Sequence, residues 1–153
     1  MGIEIKGPWK QQQIEDYLSD SRLPVRLGCV GGDGFPRVVS LWYQYREGAL
    51  YCVTHRDSPL VSLLSNEPRV GFEVSPNEPP YLGVRGQGVV EMTPLQQREM
   101  LEALLSNYLG GLESKLAQWL LSRSEQEILI TIQPRRFFSW DYRARMADIP
   151  SPA

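Results

Sequence analysis

Alternation of apolar and polar positions recurs through much of the chain and predicts β-strands at 25–30, 69–74, 81–92 and 128–132. The segment 81–92 carries Gly83, Gly86 and Gly88. Glycines inside a strand mark bends, bulges or close backbone approach, and three within six residues favour a strand that curls around a small barrel. The pattern therefore predicts a closed or nearly closed sheet.

The stretch 36–58 is the centre of our interpretation. We predict a β-hairpin in which strand 37–45 turns at Gly48 into strand 49–54. Ser58 then has the features of a helix N-cap, with Pro59 at the first helical position. Because a helix N-terminus carries partial positive charge, a ligand beside this hairpin can be anionic.

Helical spacing of apolar residues appears in two further regions. Residues 9–19 form a short amphipathic pattern with Ile14, Tyr17 and Leu18 on one side, predicting a lid on the core. Leucines at helical spacing then predict a helix pair over 94–123, interrupted at Gly110-Gly111. This leucine face packs in the core, or part of it serves a dimer.

Length and composition predict one domain over 1–153. Its parts are an N-terminal helix at about 1–22, barrel strands over 24–92, the helix pair at 94–123, and a final strand and tail at 127–146. We expect the strand to end at Gln133-Pro134 and residues 150–153 to be disordered. The Gly-rich segment 31–34 connects two strands, and it is interpreted as a turn rather than a phosphate loop.

Charge and cysteine usage narrow the function classes. Sixteen basic and eighteen acidic residues give a formal charge of −2, which argues against a dedicated nucleic-acid binder. Cys29 and Cys52 lie in predicted strands and are expected to be buried free thiols, as in a reducing compartment. With no apolar signal core and no run of bilayer length, we expect no membrane association and a cytoplasmic location.

The residues for protein-only catalysis are sparse. His55 is the single histidine, so no metal site is predicted, and no serine lies in a nucleophile elbow. We expect His55 to line a pocket or the surface rather than act as a base, and no catalytic residue is assigned. A small barrel of this kind leaves redox chemistry to a bound cofactor, or it is a plain structural barrel.

Several segments together resemble one known family. They are Arg-Val-Val-Ser-Leu-Trp from Arg37, Leu-Tyr-Cys-Val-Thr from Leu50, Ser58 with its short helix, Asn-Glu-Pro-Arg-Val from Asn66, and Val-Arg-Gly-Gln-Gly-Val-Val-Glu from Val84. Their order and spacing resemble the pyridoxamine 5'-phosphate oxidase-like family over about 24–140. The resemblance implies a mainly β, α+β fold, a six-stranded antiparallel split β-barrel with flanking helices.

The same resemblance implies a homodimer that binds FMN, or alternatively the deazaflavin F420, and acts on a small-molecule substrate. The cofactor-binding residues that it implies are Arg37, Val38, Val39, Ser40, Leu41 and Trp42 along the ring and ribityl chain, and Thr54, His55 and Ser58 near the phosphate. Three functions stay open: an FMN-binding (or F420-binding) oxidoreductase of unknown substrate, a non-catalytic split-barrel dimer that binds a cofactor or ligand, and a haem-handling protein of this fold. The third ranks last, because His55 is its one candidate ligand.

The chain departs from the family where the phosphate should bind. Trp42 and Leu60 stand at the two positions that hold lysines in the family. Arginines are the natural substitutes because charge-assisted contacts to phosphate are strong. The local candidates are Arg37, Arg56, Arg69 and Arg85. The arginines of the tail, Arg143 and Arg145, line a substrate pocket or stay in solvent.

Overall fold

A computed structural model describes residues 2–150, in which eight strands form one sheet and four α-helices flank it. Residues 151–153, for which disorder is predicted, lie outside the described residues, as does Met1. The strands are β1 (Glu4–Lys6), β2 (Val25–Val30), β3 (Pro36–Leu41), β4 (Gln44–Arg46), β5 (Ala49–His55), β6 (Arg69–Val74), β7 (Leu82–Pro94) and β8 (Glu127–Asp141).

The strand order shows how the sheet closes. It runs β3-β2-β6-β7-β8-β5-β4 with antiparallel neighbours, and β1 pairs with β8 in parallel. Only Trp42 and Tyr43 separate the two edge strands, β3 and β4. Since consecutive Cα atoms are about 3.8 Å apart, the edges lie within about 11 Å of each other at this link. The sheet therefore curls into a barrel with one split, and the predicted fold class is confirmed, with six long strands and two three-residue ones.

The helices confirm the predicted order. They are α1 (Gln11–Asp20), α2 (Pro59–Asn66), α3 (Glu99–Leu109) and α4 (Lys115–Ser122), with a 3-10 turn at Ser124–Gln126. Ser58 caps α2, accepting a hydrogen bond from the Leu60 N–H at 3.3 Å, with Pro59 at the first position as predicted. Gly110 ends α3 in the left-handed conformation, with φ at 76°. The helix pair begins later than predicted, because Pro94 still belongs to β7, opposite Ile128.

None of the helices found in residues 2–150 is long and apolar enough to cross a membrane.

The barrel interior holds the main hydrophobic core. Large side chains such as Leu27, Phe72, Ile132 and Phe137 are almost fully buried there, and α1 adds Ile14 and Leu18. Both cysteines are free and buried, as predicted. Burial raises the pKa of the Cys52 thiol to about 12 and also raises that of Cys29. Neither thiol is a ready nucleophile at neutral pH.

A second, smaller core lies between the helix pair and the outside of the sheet. Leu101 and Leu105 of α3 and Leu121 of α4 pack here against Trp42 and Val53. The predicted leucine pattern thus serves mainly for packing. On α4, however, Leu116 and Trp119 remain 46% and 54% exposed.

The predicted hairpin is wrong in its first strand. The segment 37–45 breaks at Trp42-Tyr43: β3 pairs with β2, and only the short β4 pairs with β5. Local patterning cannot distinguish one long strand from two, because both halves carry strand-forming residues. The break places the two halves on opposite edges of the split.

The predicted end of the last strand is also wrong. β8 continues past Pro134 to Asp141, so the segment after Pro134 is a strand rather than a tail. Gly88 lies opposite Pro134 and Gln87 opposite Arg136, which leaves Arg135 as the extra residue of a bulge. A bulge accommodates a proline that cannot donate to the ladder.

The N-terminal segment contains a strand as well as the predicted helix. β1 pairs with β8 around Phe137. Just after it, the Trp9 backbone N–H donates to Ser139 Oγ at 3.0 Å, and Trp9 Nε1 donates to Asp141 Oδ2 at 3.1 Å. The start of the chain is therefore attached to its last strand.

Candidate functional site

A cavity of about 410 Å³ lies at the split, between the barrel and the helix pair. Six of the nine predicted cofactor-binding residues line it: Ser40, Leu41, Trp42, Thr54, His55 and Ser58. The rest of the wall consists of residues that were not predicted as part of the site: Val53, Leu101, Leu104, Leu120, Arg123 and Glu127. The cavity thus has an apolar side from the leucines and Trp42 and a polar side from the hydroxyls, His55 and the two charged residues.

The other three predicted residues lie away from this cavity. Arg37 makes an ion pair with Asp33, with 3.2 Å between Nη2 and Oδ2. Val38 is 72% exposed on the outer face of the sheet, and Val39 packs against the main core. The reason is geometric, since only the C-terminal end of β3 reaches the split. Whether any of the nine contacts a cofactor stays a prediction.

The edge of β3 offers backbone hydrogen-bonding groups beside the cavity. Within the described part of the chain, β3 pairs with β2 alone, so alternate backbone groups along its other side face away from the ladder. Ser40 and Leu41 of this strand line the cavity. A flat polar heterocycle held against the strand finds donors and acceptors there.

Trp42 forms a fixed wall at the end of this strand. Its indole stacks on the Tyr108 ring of α3, with 5.3 Å between ring centroids and 8° between planes. The Tyr108 hydroxyl in turn donates to the Leu23 carbonyl at 2.9 Å and accepts from the Tyr43 N–H at 3.3 Å. Helix α3 thereby holds the link between the sheet edges in place.

His55 ends β5 with both ring nitrogens engaged. The Asp57 backbone N–H donates to Nδ1 at 3.1 Å, and Nε2 lies 2.9 Å from Gln126 Oε1. Because Nδ1 accepts, this network assigns the proton to Nε2, which donates to Gln126. The imidazole therefore cross-links β5 to the turn before β8, and its ring forms part of the cavity wall.

Helix α2 begins at the same cavity, but its first N–H groups are largely satisfied. Pro59 has no N–H, the Leu60 N–H is bonded to Ser58 Oγ, and the Val61 N–H donates to the Ser58 carbonyl at 3.0 Å. The helix therefore contributes its partial positive charge more than free donors.

Arg123 and Glu127 form a charged pair in the cavity wall. Arg123 Nε donates to Glu127 Oε1 at 3.1 Å, and the Glu127 side chain is only 4% exposed. The Arg123 guanidinium also stacks over Trp119, with 4.2 Å from Cζ to the ring centroid. Among the lining residues, Arg123 is the one lysine or arginine and Glu127 the one carboxylate.

None of the four arginines that were candidates for contacting the phosphate lines the cavity. Arg37 is paired with Asp33 and Arg69 with Glu67, and Arg85 stacks over Phe138 at 4.3 Å. Arg56 is exposed to solvent.

Arg123 was missed because its position depends on a long-range pairing. In the β5–β8 ladder, His55 lies opposite Glu127, and this brings the end of α4 to the cavity. The four-residue spacing of Arg123 and Glu127 was the available signal, but many surface pairs share it.

Solved structures resemble this arrangement over most of the chain. The conserved hypothetical protein Rv2991 from Mycobacterium tuberculosis superposes with a TM-score of 0.73 and 23% identity, covering 95% of this chain and 92% of its own. An F420 reductase superposes with a TM-score of 0.67 and 22% identity, covering 80% of this chain and 94% of its own. A candidate pyridoxamine 5'-phosphate oxidase from Listeria innocua superposes with a TM-score of 0.63 and 16% identity, covering 82% of this chain and 94% of its own.

The chain has the split-barrel fold of the pyridoxamine 5'-phosphate oxidase-like proteins. No protein-family model and no curated protein matches its sequence. At these identities, the likeness concerns the fold.

The cavity of this split barrel fits the general form of a flavin. Its volume lies in the range of about 300–1,000 Å³ usual for small-molecule sites. The free edge of β3 and the indole of Trp42 suit a planar ring, while Arg123, the Ser58 hydroxyl and the start of α2 suit an anionic end. Within residues 2–150, no group of three or more His, Cys, Asp and Glu side chains is arranged to hold a metal ion.

Proposed function

We propose that this chain, as a single split-barrel domain, binds FMN, or F420 in its place, and acts as an oxidoreductase on a small-molecule substrate. The observation that carries the proposal is the cavity at the split, because six residues implied by the family resemblance line it together. The F420 reductase among the similar structures supports the same class of cofactor.

A bound flavin supplies hydride transfer, and the chain's own residues orient the ring and exclude water. The β3 edge near Ser40 and Leu41 would hydrogen-bond the heterocycle, and Trp42 with the leucines of α3 and α4 would cover it. We also propose a homodimer in the cytoplasm. The family resemblance supports the dimer, and the two buried free thiols are in line with a reducing compartment.

Cofactor binding is tested with two tryptophan variants on one strand. Ser40 and Val38 are both exposed and, two residues apart, share the outer face of β3, but only Ser40 lines the cavity. We expect FMN or F420 to bind the wild type and Val38→Trp with equal affinity and to bind Ser40→Trp at least tenfold more weakly, measured by fluorescence titration. Equal binding by both variants would place the ligand elsewhere. A wild type with no flavin absorbance as purified and no affinity for either cofactor would refute the proposal.

A non-catalytic split-barrel dimer that binds a cofactor or ligand is the second candidate. Two observations favour it: Trp42 and Leu60 stand where the family has lysines, and a carboxylate, Glu127, lies in the cavity wall. The two functions differ in turnover. Protein-dependent reoxidation of bound reduced flavin by small-molecule acceptors supports the enzyme, while binding without turnover across an acceptor panel supports the binding protein.

A further inference from the structure

We infer that Arg123 is the anion-binding residue of this cavity and holds the phosphate end of its ligand in place of the missing lysines, with Glu127 and Trp119 as positioning residues. This inference deepens the proposed function and relies on it for the identity of the ligand. It concerns a residue that the family resemblance did not assign to the cofactor site.

Arg123 lies where the phosphate end of the ligand is expected. Arg123 shares the cavity wall with Thr54 and Ser58, the residues expected near the phosphate, and with the start of α2. The guanidinium is the one permanently charged cation among the lining residues. A phosphate placed against the hydroxyl groups therefore has a single cationic side chain available on the cavity wall.

The Arg123 guanidinium is held in place before any ligand binds. Glu127 Oε1 accepts from Arg123 Nε at 3.1 Å, and the Trp119 ring covers one face of the guanidinium at 4.2 Å. The two Nη groups make no hydrogen bond with the described residues. A guanidinium that is held at Nε and at one face loses little conformational freedom when its Nη groups bind an anion.

The burial of Glu127 and the exposure of Trp119 are both unusual for their residue types. The Glu127 side chain is 4% exposed, and such a carboxylate is stable inside a protein only with a partner. Trp119, in contrast, is a large apolar ring that is 54% exposed to solvent. Both features are explained if they serve to fix Arg123 at the cavity.

The test separates the charge of Arg123 from its structural role. Removing Arg123 alone leaves the buried Glu127 unpaired, so the informative comparison is Glu127→Gln against the double variant Arg123→Gln with Glu127→Gln. In the double variant, two amides can hydrogen-bond across the same site. Arg56→Gln, an exposed arginine beside His55 that does not line the cavity, is the surface control.

Three probes are used by calorimetric titration: inorganic pyrophosphate, FMN, and riboflavin, which lacks the phosphate. We expect the wild type and Arg56→Gln to bind pyrophosphate with equal affinity, and the double variant to bind it at least tenfold more weakly than Glu127→Gln does. FMN affinity should fall at least tenfold between Glu127→Gln and the double variant, while riboflavin affinity stays within twofold.

The inference is overturned if the double variant binds pyrophosphate within twofold of Glu127→Gln, or if the wild type binds no pyrophosphate at millimolar concentration. An equal loss of FMN and riboflavin affinity also overturns it, because Arg123 would then shape the cavity rather than bind the phosphate. If the wild type binds neither FMN, riboflavin nor F420 but binds pyrophosphate through Arg123, the flavin function fails and the inference stands.

Discussion

The Tyr108 hydroxyl fastens helix α3 to the link between the two sheet edges, and its removal has a calculable effect. It takes part in hydrogen bonds with the Leu23 carbonyl and the Tyr43 N–H, while the ring stacks on Trp42. Tyr108→Phe removes the bonds and keeps the stack. At about 0.5–1.5 kcal/mol per bond, the free energy of unfolding should fall by about 1–3 kcal/mol. Tyr108→Leu also removes the ring stack, which should lower the free energy of unfolding by about 0.5–1.5 kcal/mol more, in addition to the effect of the lost buried area.

The measurement is urea denaturation followed by far-ultraviolet circular dichroism. With an m-value of about 2 kcal/mol per molar urea, a loss of about 2 kcal/mol lowers the midpoint by about 1 M. Tyr81→Phe is the matched control, because Tyr81 is 45% exposed and its hydroxyl makes no hydrogen bond with the described residues. A midpoint for Tyr108→Phe equal to that of Tyr81→Phe would refute this account of the link.

Two further predictions concern the strand β8 and its neighbours. Hydrogen bonds from Arg143, with a smaller contribution from Trp9, hold the pKa of Asp141 well below its usual range. A depressed folded-state pKa stabilises the protein at neutral pH, and this stabilisation is lost as the pH falls below about 4. The Tm gap between wild type and Asp141→Asn should therefore shrink from pH 7 to pH 3, and a constant gap would contradict the reasoning. In β7, a Cβ on Gly86 would clash with the Phe72 ring and lie 2.5 Å from the Arg136 carbonyl oxygen, whereas on the neighbouring Gly71 it would meet only a carbonyl oxygen at 3.8 Å. Gly86→Ala should lower the free energy of unfolding by about 1–3 kcal/mol, and Gly71→Ala should lower it by less. Similar losses for the two variants would show that small shifts of the neighbouring atoms relieve the crowding at Gly86.

Strand positions were predictable wherever the side-chain pattern alone determines them. β2 and β6 have the predicted bounds because alternating burial is a local property. The break at Trp42-Tyr43 was not predictable, because it follows from which distant strands pair on each side. The continuation of β8 through Pro134 likewise depends on a bulge against β7. It was not predictable because a proline in the sequence normally indicates the end of a strand.

The candidate site was predictable in part for the same reason. Ser58 and the start of α2 follow from local capping rules, and the structure places them at the cavity. The four candidate arginines all lie within residues 37–85, and none of them lines the cavity. Arg123 reaches it only because β8 returns beside β5, about seventy residues later in the chain.

The order of the strands also bears on how the protein is made by the ribosome. β8 lies between β7 and β5, and it comes last in chain order among the strands of residues 2–150. Until it emerges, β2, β3, β6 and β7 can form one partial sheet, while the β4–β5 hairpin has no sheet to join and β1 has no partner. A nascent chain that has not yet reached Glu127 therefore exposes an unpaired strand edge and an open core, the features that chaperones recognise and that favour aggregation.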